Sequence, residues 1–504
     1  MKKKIYGFLI LIFLILTVAP LANWKLGRLD KLPEAMHWWH PSALYNMDFS
    51  LFLLGKIYYE LGLSSSPGQV LVGKEGWLYL GNEYSDTISR KINTATDLEI
   101  EKTSNIAHSL TRWNTRFESL GVDAFRVILG PDKETIYQEY LPDWSQKKSG
   151  SISSKLSSLF DEKVFINPTT ALLDAKNHYD VPLYFKSDSH WNKLGGGIAF
   201  GELSRNLQST ERGLKWPEGI LDSFTNSAIK VGDLADIQRL IPRSVNDHSI
   251  SIHGLEEAEL MLTLTDYNTG DEIYSGRNTK VIAPKTPIRV LSNSFLNDKK
   301  VLWLRDSFGE ALSPYMAMTF KDTLQVHHGE VTSQMVETMV ATYKPDYVFM
   351  TVVERDIQAG FLTHLPTIMT GVEMTPMISS TLVATHDVKK EDNDVFEVIG
   401  EDVYFIYKLE SAANAKHINS LSFDINCNPS IERVPMQLFW QTNEVGFSEF
   451  RSLQFSAEEG HNQIEINTPE WSQYEAITGV RLDINSTDSC SQISINSIQL
   501  GKSL

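Results

Sequence analysis

Apolar and polar positions fall into three textures along the chain. The first is an almost unbroken apolar run from Ile5 to Ala19, extended by Pro20, Leu21 and Ala22 and preceded by Lys2, Lys3 and Lys4. Lysines ahead of such a run keep the amino terminus in the cytoplasm and send the remainder across the membrane. The run is near the lower limit of about 17 residues for a span, and the small-x-small pattern around Ala19 to Ala22 is poor. It predicts a retained signal anchor, with a cleaved signal peptide as the alternative. Residues 37–63, rich in aromatic and aliphatic side chains, predict a helix packed on the next domain or lying near the bilayer, ended by Ser64-Ser65-Ser66-Pro67-Gly68.

The second texture alternates strand-like and helix-like spacing. Residues 70–83 read as a hairpin around Gly73-Lys74-Glu75-Gly76. Leu98, Ile106, Leu110, Trp113, Phe117 and Leu120 repeat at helical spacing up to a stop at Gly121. A strand from Phe125 to Leu129 then ends in Gly130-Pro131-Asp132-Lys133. Further on, Val301 to Leu304 form a continuous apolar run that breaks at Arg305-Asp306-Ser307-Phe308-Gly309, after which Phe308, Leu312 and Tyr315 take helical spacing. A strand at 324–327, a helix with Met335, Val336, Met339 and Val340, and a strand from Tyr347 to Val353 complete the series. Such alternation predicts an α/β domain with a mainly parallel sheet flanked by helices. Residues 211–290 contain only short pieces and are expected to be an insertion covering one side of a site.

From about residue 380 the texture changes to VYFIYK, SLSFDINC, MQLFWQT, NQIEINT, GVRLDIN and ISINSIQL, which predict an antiparallel β-sandwich. The expected organisation is therefore a signal anchor or signal peptide (1–23), a juxtamembrane helical segment (24–69), an α/β domain (70–375) and a C-terminal sandwich (376–504). With 504 residues and 42% hydrophobic positions, two or three real cores are affordable. The net charge, 46 basic against 63 acidic side chains or -17, argues against nucleic acid as a partner. Only Cys427 and Cys490 occur, and in an exported chain such a pair is most simply a structural disulfide.

Three places carry chemistry. Ser307 stands where a buried strand turns into a helix, beside amides able to hold an oxyanion; a plain N-cap is the alternative. Asp188 and His190, one residue apart and followed by Trp191, form a pair in which the carboxylate can orient the imidazole and stabilise its charged form. Metal ligation, with His327-His328 as companions, is a weaker alternative lacking an evident third ligand. Asp132, Lys133 and Arg355 are expected at carboxyl ends of strands, where open α/β sheets bind ligands, or else serve as turn and salt-bridge residues. Trp440, Trp471 and Tyr474 are candidates for stacking on sugar rings, buried aromatics being the alternative.

With Gly73-Lys74-Glu75-Gly76-Trp77-Leu78, Asp188-Ser189-His190-Trp191-Asn192, Asp306-Ser307-Phe308 and the strand ending in Glu354-Arg355, the chain resembles the periplasmic alginate O-acetyltransferases of the AlgJ/AlgX type. Their catalytic domain is SGNH-hydrolase-like but permuted, with Asp-x-His ahead of the serine, as here. The resemblance implies Ser307 as nucleophile, His190 as general base and then acid, and Asp188 as its orienting group. It implies no cofactor, a periplasmic protein at the inner membrane, and a membrane-bound O-acyltransferase that passes acetyl groups outward. It also implies an exported polysaccharide as acceptor and a C-terminal carbohydrate-binding module. Two departures stand out: Arg305 occupies the place of the glycine that ordinary SGNH enzymes have before Asp-Ser, and no Gly-x-Asn-Asp block follows a strand. Arg305, Phe308, Gly329 and Arg355 are the positional candidates for oxyanion or substrate contacts. An esterase acting on the same class of glycan, and a noncatalytic polysaccharide-binding scaffold, are the competing functions.

Overall fold

The computed structural model describes residues 2–25, 40, 45 and 47–503, apart from 146–150, 228–231, 241–246, 278, 365, 367–373, 392–393, 430–432, 467–470, 472–473 and 486–489. Most of the expected juxtamembrane stretch before residue 47 lies outside the described residues. By its contacts the chain forms two compact units. One comprises Met1–Glu101, Arg126–His328 and Tyr347–Ile357, the other Lys102–Phe125, Gly329–Asp346 and Gln358–Leu504.

The first unit begins with α1 (Lys2–Lys25), in which Lys4–Asn23 have a mean hydropathy of 2.6 and are long and apolar enough to cross a membrane. Helix α2 (Asp48–Glu60) lays Tyr59 on an apolar cluster formed by the hairpin β1 (Val70–Val72) and β2 (Leu78–Leu80). The hairpin turns through Glu75 and Gly76 at positive φ, which suits glycine. Next come α3 (Thr87–Ile92) and α4 (Asp97–Ser119), the latter running on into the second unit and followed by Gly121 at φ +83°.

An eight-stranded sheet forms the body of this unit. In chain order the unit continues with β3 (Ala124–Gly130) and β4 (Phe165–Ile166) of this sheet and then, beyond α5 (Lys193–Gln208), with β5 (Phe224–Ser227) and β6 (Ser249–Ile252), which form a two-stranded sheet of their own with α6 (Asp233–Ile237) between them in sequence. There follow β7 (Leu262–Asp266), β8 (Glu272–Gly276), β9 (Ile288–Ser292), β10 (Asn297–Arg305), α7 (Gly309–Thr319), β11 (Phe320–Val326) and β12 (Tyr347–Val353). The spatial order is β4-β3-β12-β10-β11-β9-β7-β8. Strands β3, β12 and the last five residues of β10 are buried throughout, the burial of central strands covered on both faces.

The sheet is mixed rather than mainly parallel. Pairs β3/β4, β10/β11 and β10/β12 are parallel, while β9/β11, β7/β9 and β7/β8 are antiparallel. Residues 262–292, expected as an insertion, are an extension of the sheet. Antiparallel neighbours need only short turns, whereas parallel ones need a crossover of a dozen or more residues, and the described residues of this stretch hold no such helix.

The second unit contains α8 (Ser333–Tyr343), between β11 and β12 in sequence, and ten antiparallel strands. These are β13 (Met374–His386), β14 (Val388–Lys390), β15 (Phe396–Val398), β16 (Val403–Ala413), β17 (Ser420–Asn428), β18 (Val434–Thr442), β19 (Ser452–Ala457), β20 (Gly460–Glu465), β21 (Ile477–Ile484) and β22 (Gln492–Ser503). A core of Phe405, Leu421, Leu438, Leu482 and Ile495 holds them together. Cys427 on β17 is joined in a disulfide to Cys490, just ahead of β22, with Cα atoms 5.4 Å apart.

The sugar-stacking expectation for Trp440 and Trp471 is corrected here. Both rings are fully buried and meet edge to face at 5.4 Å, and Trp471 Nε1 donates to Ile418 O; Tyr474 packs partly buried against the same core. A ring that stacks on a sugar needs an open face, and neither tryptophan has one.

Candidate active site

The loop carrying Asp188 and His190 is folded back on itself by backbone pairing. Phe185 N donates to His190 O (3.2 Å), Asn192 N to Leu183 O (2.9 Å), and Tyr184 bridges Trp191. Asn192 then caps α5, its Oδ1 accepting from Leu194 N (3.0 Å) and Gly195 N (3.2 Å). Trp191, also buried, donates from Nε1 to Phe308 O (2.9 Å) and packs on the Phe308 ring at 5.1 Å. The residue after the histidine thus ties this loop to the turn after the serine.

That turn is held by Asp306. Its Oδ1 accepts from Phe308 N (2.9 Å) and its Oδ2 from Val353 N (2.6 Å). Burial alone would raise this carboxyl, but the neighbouring His328 imidazole, the Val353 amide and Arg355 outweigh it and keep Asp306 below its ordinary range. Gly309 N turns back to Asp306 O (3.2 Å) and Glu310 N to Ser307 O (3.0 Å), opening α7 directly behind the serine.

Across these two supports, Ser307 Oγ lies 2.7 Å from His190 Nε2, and His190 Nδ1 lies 2.6 Å from Asp188 Oδ1. A carboxylate only accepts, so Nδ1 carries the proton, leaving Nε2 free to accept from the serine hydroxyl. Burial disfavours the imidazolium, yet the Asp188 hydrogen bond and the charges of Asp188 and Asp233 more than offset it, so the His190 pKa is raised. The arrangement can take a proton from Ser307, hold it, and give it back.

Asp233, at the start of α6, did not stand out in the sequence. Its carboxylate accepts from Ser189 N (2.8 Å) and Ser189 Oγ (2.6 Å) and comes within 3.8 Å of His190 Nδ1. The only local signal was Gly232 before it: a Cβ there would fall 2.3 Å from Asp188 Cβ and 2.5 Å from Ser187 O. Asp188, His190 and Asp233 also form a cluster with metal-ligand chemistry among the described residues. Both His190 nitrogens are engaged within the relay, and His327-His328 are not members of that cluster.

The remaining candidates support the site from below. Lys133 is buried, its Nζ donating to the carbonyls of Phe185 (3.0 Å), Lys186 (3.2 Å) and Asp188 (2.7 Å), and burial pulls its ammonium down to about 8. Asp132 is buried between Lys91 (3.1 Å) and Arg355 Nη1 (2.6 Å), with Glu354 3.1 Å from the same lysine. The Arg355 guanidinium lies 5.7 Å over the Phe308 ring.

Arg305 is corrected as an oxyanion or substrate contact. It is fully buried, donating to Gln325 Oε1 (2.9 Å), Val281 O (2.6 Å) and Asp306 O (3.2 Å), and stacks on Trp303. A guanidinium spent on internal acceptors cannot also receive substrate. Phe308 is likewise buried, packing on His190 and Trp191 instead of facing a ligand. Gly329 lies in the short turn His328–Glu330 after β11 and belongs to the second compact unit.

A serine at a strand-to-helix turn, met by an Asp-x-His loop over the edge of an α/β sheet, defines an SGNH hydrolase-like site. Residues 70–248 match the family described as SGNH hydrolase-like domain, acetyltransferase AlgX. The matched stretch contains Asp188 and His190 and ends before Ser307. Solved structures similar to this chain include Bacillus cereus PatB1 with a sulfonyl adduct, at 15% identity, covering 59% of this chain and 99% of that one, with a TM-score of 0.45. The O-acetyltransferase domain of Pseudomonas putida AlgJ is 15% identical, covers 57% and 92%, and has a TM-score of 0.34. Pseudomonas aeruginosa AlgX is 11% identical, covers 85% and 94%, and also has a TM-score of 0.34. Among curated proteins no match was found.

Proposed function

We propose that this chain is a serine-dependent O-acetyltransferase that moves an acetyl group onto a hydroxyl of an exported polysaccharide. Ser307 Oγ attacks the acetyl carbonyl while His190 Nε2 takes its proton, and backbone amides at the start of α7 stabilise the oxyanion. The donor leaves with the proton returned from His190, giving acetyl-Ser307. A sugar hydroxyl then gives its proton to His190 and attacks the ester, and the proton passes back to Ser307 as the acetylated sugar departs. Asp188 keeps Nδ1 protonated and aimed throughout. Helix α1 anchors the chain to the inner membrane with the site in the periplasm, where a membrane-bound O-acyltransferase supplies the acetyl group.

The observation that carries this reading is the continuous Asp188–His190–Ser307 relay, at 2.6 and 2.7 Å, opening on a cavity of about 670 Å³ that the same three side chains line. The test is to incubate the full-length protein in detergent with an acetyl ester and oligosaccharides, and to look for acetylated sugar by mass spectrometry. Transfer to sugar supports the proposal; free acetate alone would make the protein an esterase.

A further inference from the structure

Lys133 is buried and is not among the residues lining the Ser307 cavity, yet it reaches the loop on which the relay is built. It opens the short helix Lys133–Ile136 that follows β3. An ammonium has three hydrogens and no lone pair, and this one meets three acceptors: the carbonyls of Phe185 (3.0 Å), Lys186 (3.2 Å) and Asp188 (2.7 Å). The shortest of these bonds goes to the backbone of the residue whose carboxylate holds His190 Nδ1. The β1–β2 hairpin supplies an aromatic wall. Trp77 and Tyr79, both buried, place their rings 5.8 and 5.3 Å from Nζ, where an aromatic face favours a cation. Leu78 N of the same hairpin donates to the Lys186 carbonyl (3.0 Å), so the Gly73–Leu78 motif acquires a task at the ammonium and at the loop it grips.

A neutral amine keeps two hydrogens and one lone pair, so one of the three carbonyls would face that lone pair with no proton between them. A buried carbonyl left in that state is costly, and movement of the loop relieves it. Resting on the acyl-serine reading above, we infer that Lys133 is a positioning residue: its ammonium clamps residues 185–188, holds Asp188 against His190, and releases the relay when it loses its proton. The groups around the ammonium pull in both directions. Glu134 beside it, Asp188 on the loop, Asp233 on α6 and Asp247 ahead of β6 favour the charge, but burial outweighs them and brings the ammonium down to about 8. Lys186 adds a second cation at the Trp77 ring (5.5 Å), Asp132 is bound to Lys91 and Arg355, and burial keeps the Tyr79 hydroxyl neutral, far above its ordinary range. The clamp therefore opens within the range of pH over which acetyl transfer can be followed.

The test follows the nitrophenol burst of the full-length protein in detergent with nitrophenyl acetate, which reads the rate of Ser307 acetylation and its KM at each pH. In the parent the rate is expected to rise through the His190 pKa and to fall again with a midpoint near 8. KM is expected to change by less than about twofold, because Lys133 does not line the cavity. Lys133→Met fills much the same space without the charge. Its rate at neutral pH is expected to drop by about tenfold or more, as a loop displacement of about 1 Å allows, and what remains should have no falling limb. Lys133→Arg keeps its charge to higher pH, so it is expected to recover part of the loss and to move the falling limb above about pH 9. Circular dichroism checks that each variant is folded, and the parent profile decides alone where neither is. A falling limb unchanged in Lys133→Met, a loss carried by KM alone, or a parent rate that stays flat between about pH 7 and 9.5 overturns the inference while leaving the acyl-serine mechanism standing. Absence of the burst and of acetyl-Ser307 in the parent at neutral pH would instead overturn the mechanism, and this inference with it.

Discussion

At the scale of single residues, the site is a proton path with one donor, one relay and one orienting charge. Ser307→Ala removes the attacking atom, so turnover is expected to fall by roughly four or more orders of magnitude, and the acetyl adduct seen by intact-mass measurement on the parent is expected to vanish. The pH dependence follows from the raised His190 pKa. The relay needs neutral imidazole, so activity is present above that raised pKa and lost as the pH falls through it. Asp188→Asn removes both the hydrogen bond to a charged acceptor and the nearest negative charge, destabilising the imidazolium. Its acid limb should move to lower pH, with kcat down roughly 10³- to 10⁴-fold through the wrong tautomer. Asp233→Asn should move the limb in the same direction by less, since its charge adds less than Asp188 does; a shift to higher pH in either variant would contradict the assignment.

At the scale of elements, activity depends on how closely the Asp188 loop and α6 approach. Gly232 leaves no room for a Cβ beside Asp188 and Ser187, and Gly232 N donates to Ser187 Oγ (3.2 Å). Gly232→Ala is therefore expected to push the Asp188 loop aside. Displacements near 1 Å can cost about 10²-fold in rate, so a drop of at least tenfold in acetyl transfer is expected while the circular dichroism spectrum stays unchanged. Most elements were legible in the sequence because their signals are local. The helix spacing up to Gly121 and the apolar run ending at Arg305 each depend on neighbours a few residues away. Strands β7 to β9 were not legible as part of the sheet, because joining an edge is decided by partners such as β11 rather than by the strand's own residues. The tryptophans were more readable than the sugar-stacking expectation allowed: Met436, Leu438 and Trp440 share one parity on β18, and that face is the core.

At the scale of the whole molecule, a buried ion network underlies the site. Lys91 on α3 reaches Asp132 after β3 and Glu354 after β12, so segments far apart in the chain meet on one ammonium. Lys91→Met would leave two buried carboxylates facing each other without it, and a loss of about 3–5 kcal/mol is expected in urea unfolding at neutral pH, where breaking buried pairs is costly. A loss below about 1 kcal/mol would mean that Arg355 alone holds the cluster. By itself the sequence determined the chemistry on offer: an apolar amino-terminal run behind three lysines, a serine on a strand-to-helix turn, and an Asp-x-His pair held in a loop. Each of these is a short-range pattern set by backbone geometry and hydrophobic period. Only the tertiary structure decided that His190 and Ser307, 117 positions apart, meet at 2.7 Å, that Arg305 turns inward, and that Asp233 joins the imidazole. Those outcomes rest on long-range packing and on the summed charge around one cavity, quantities that no stretch of chain carries alone.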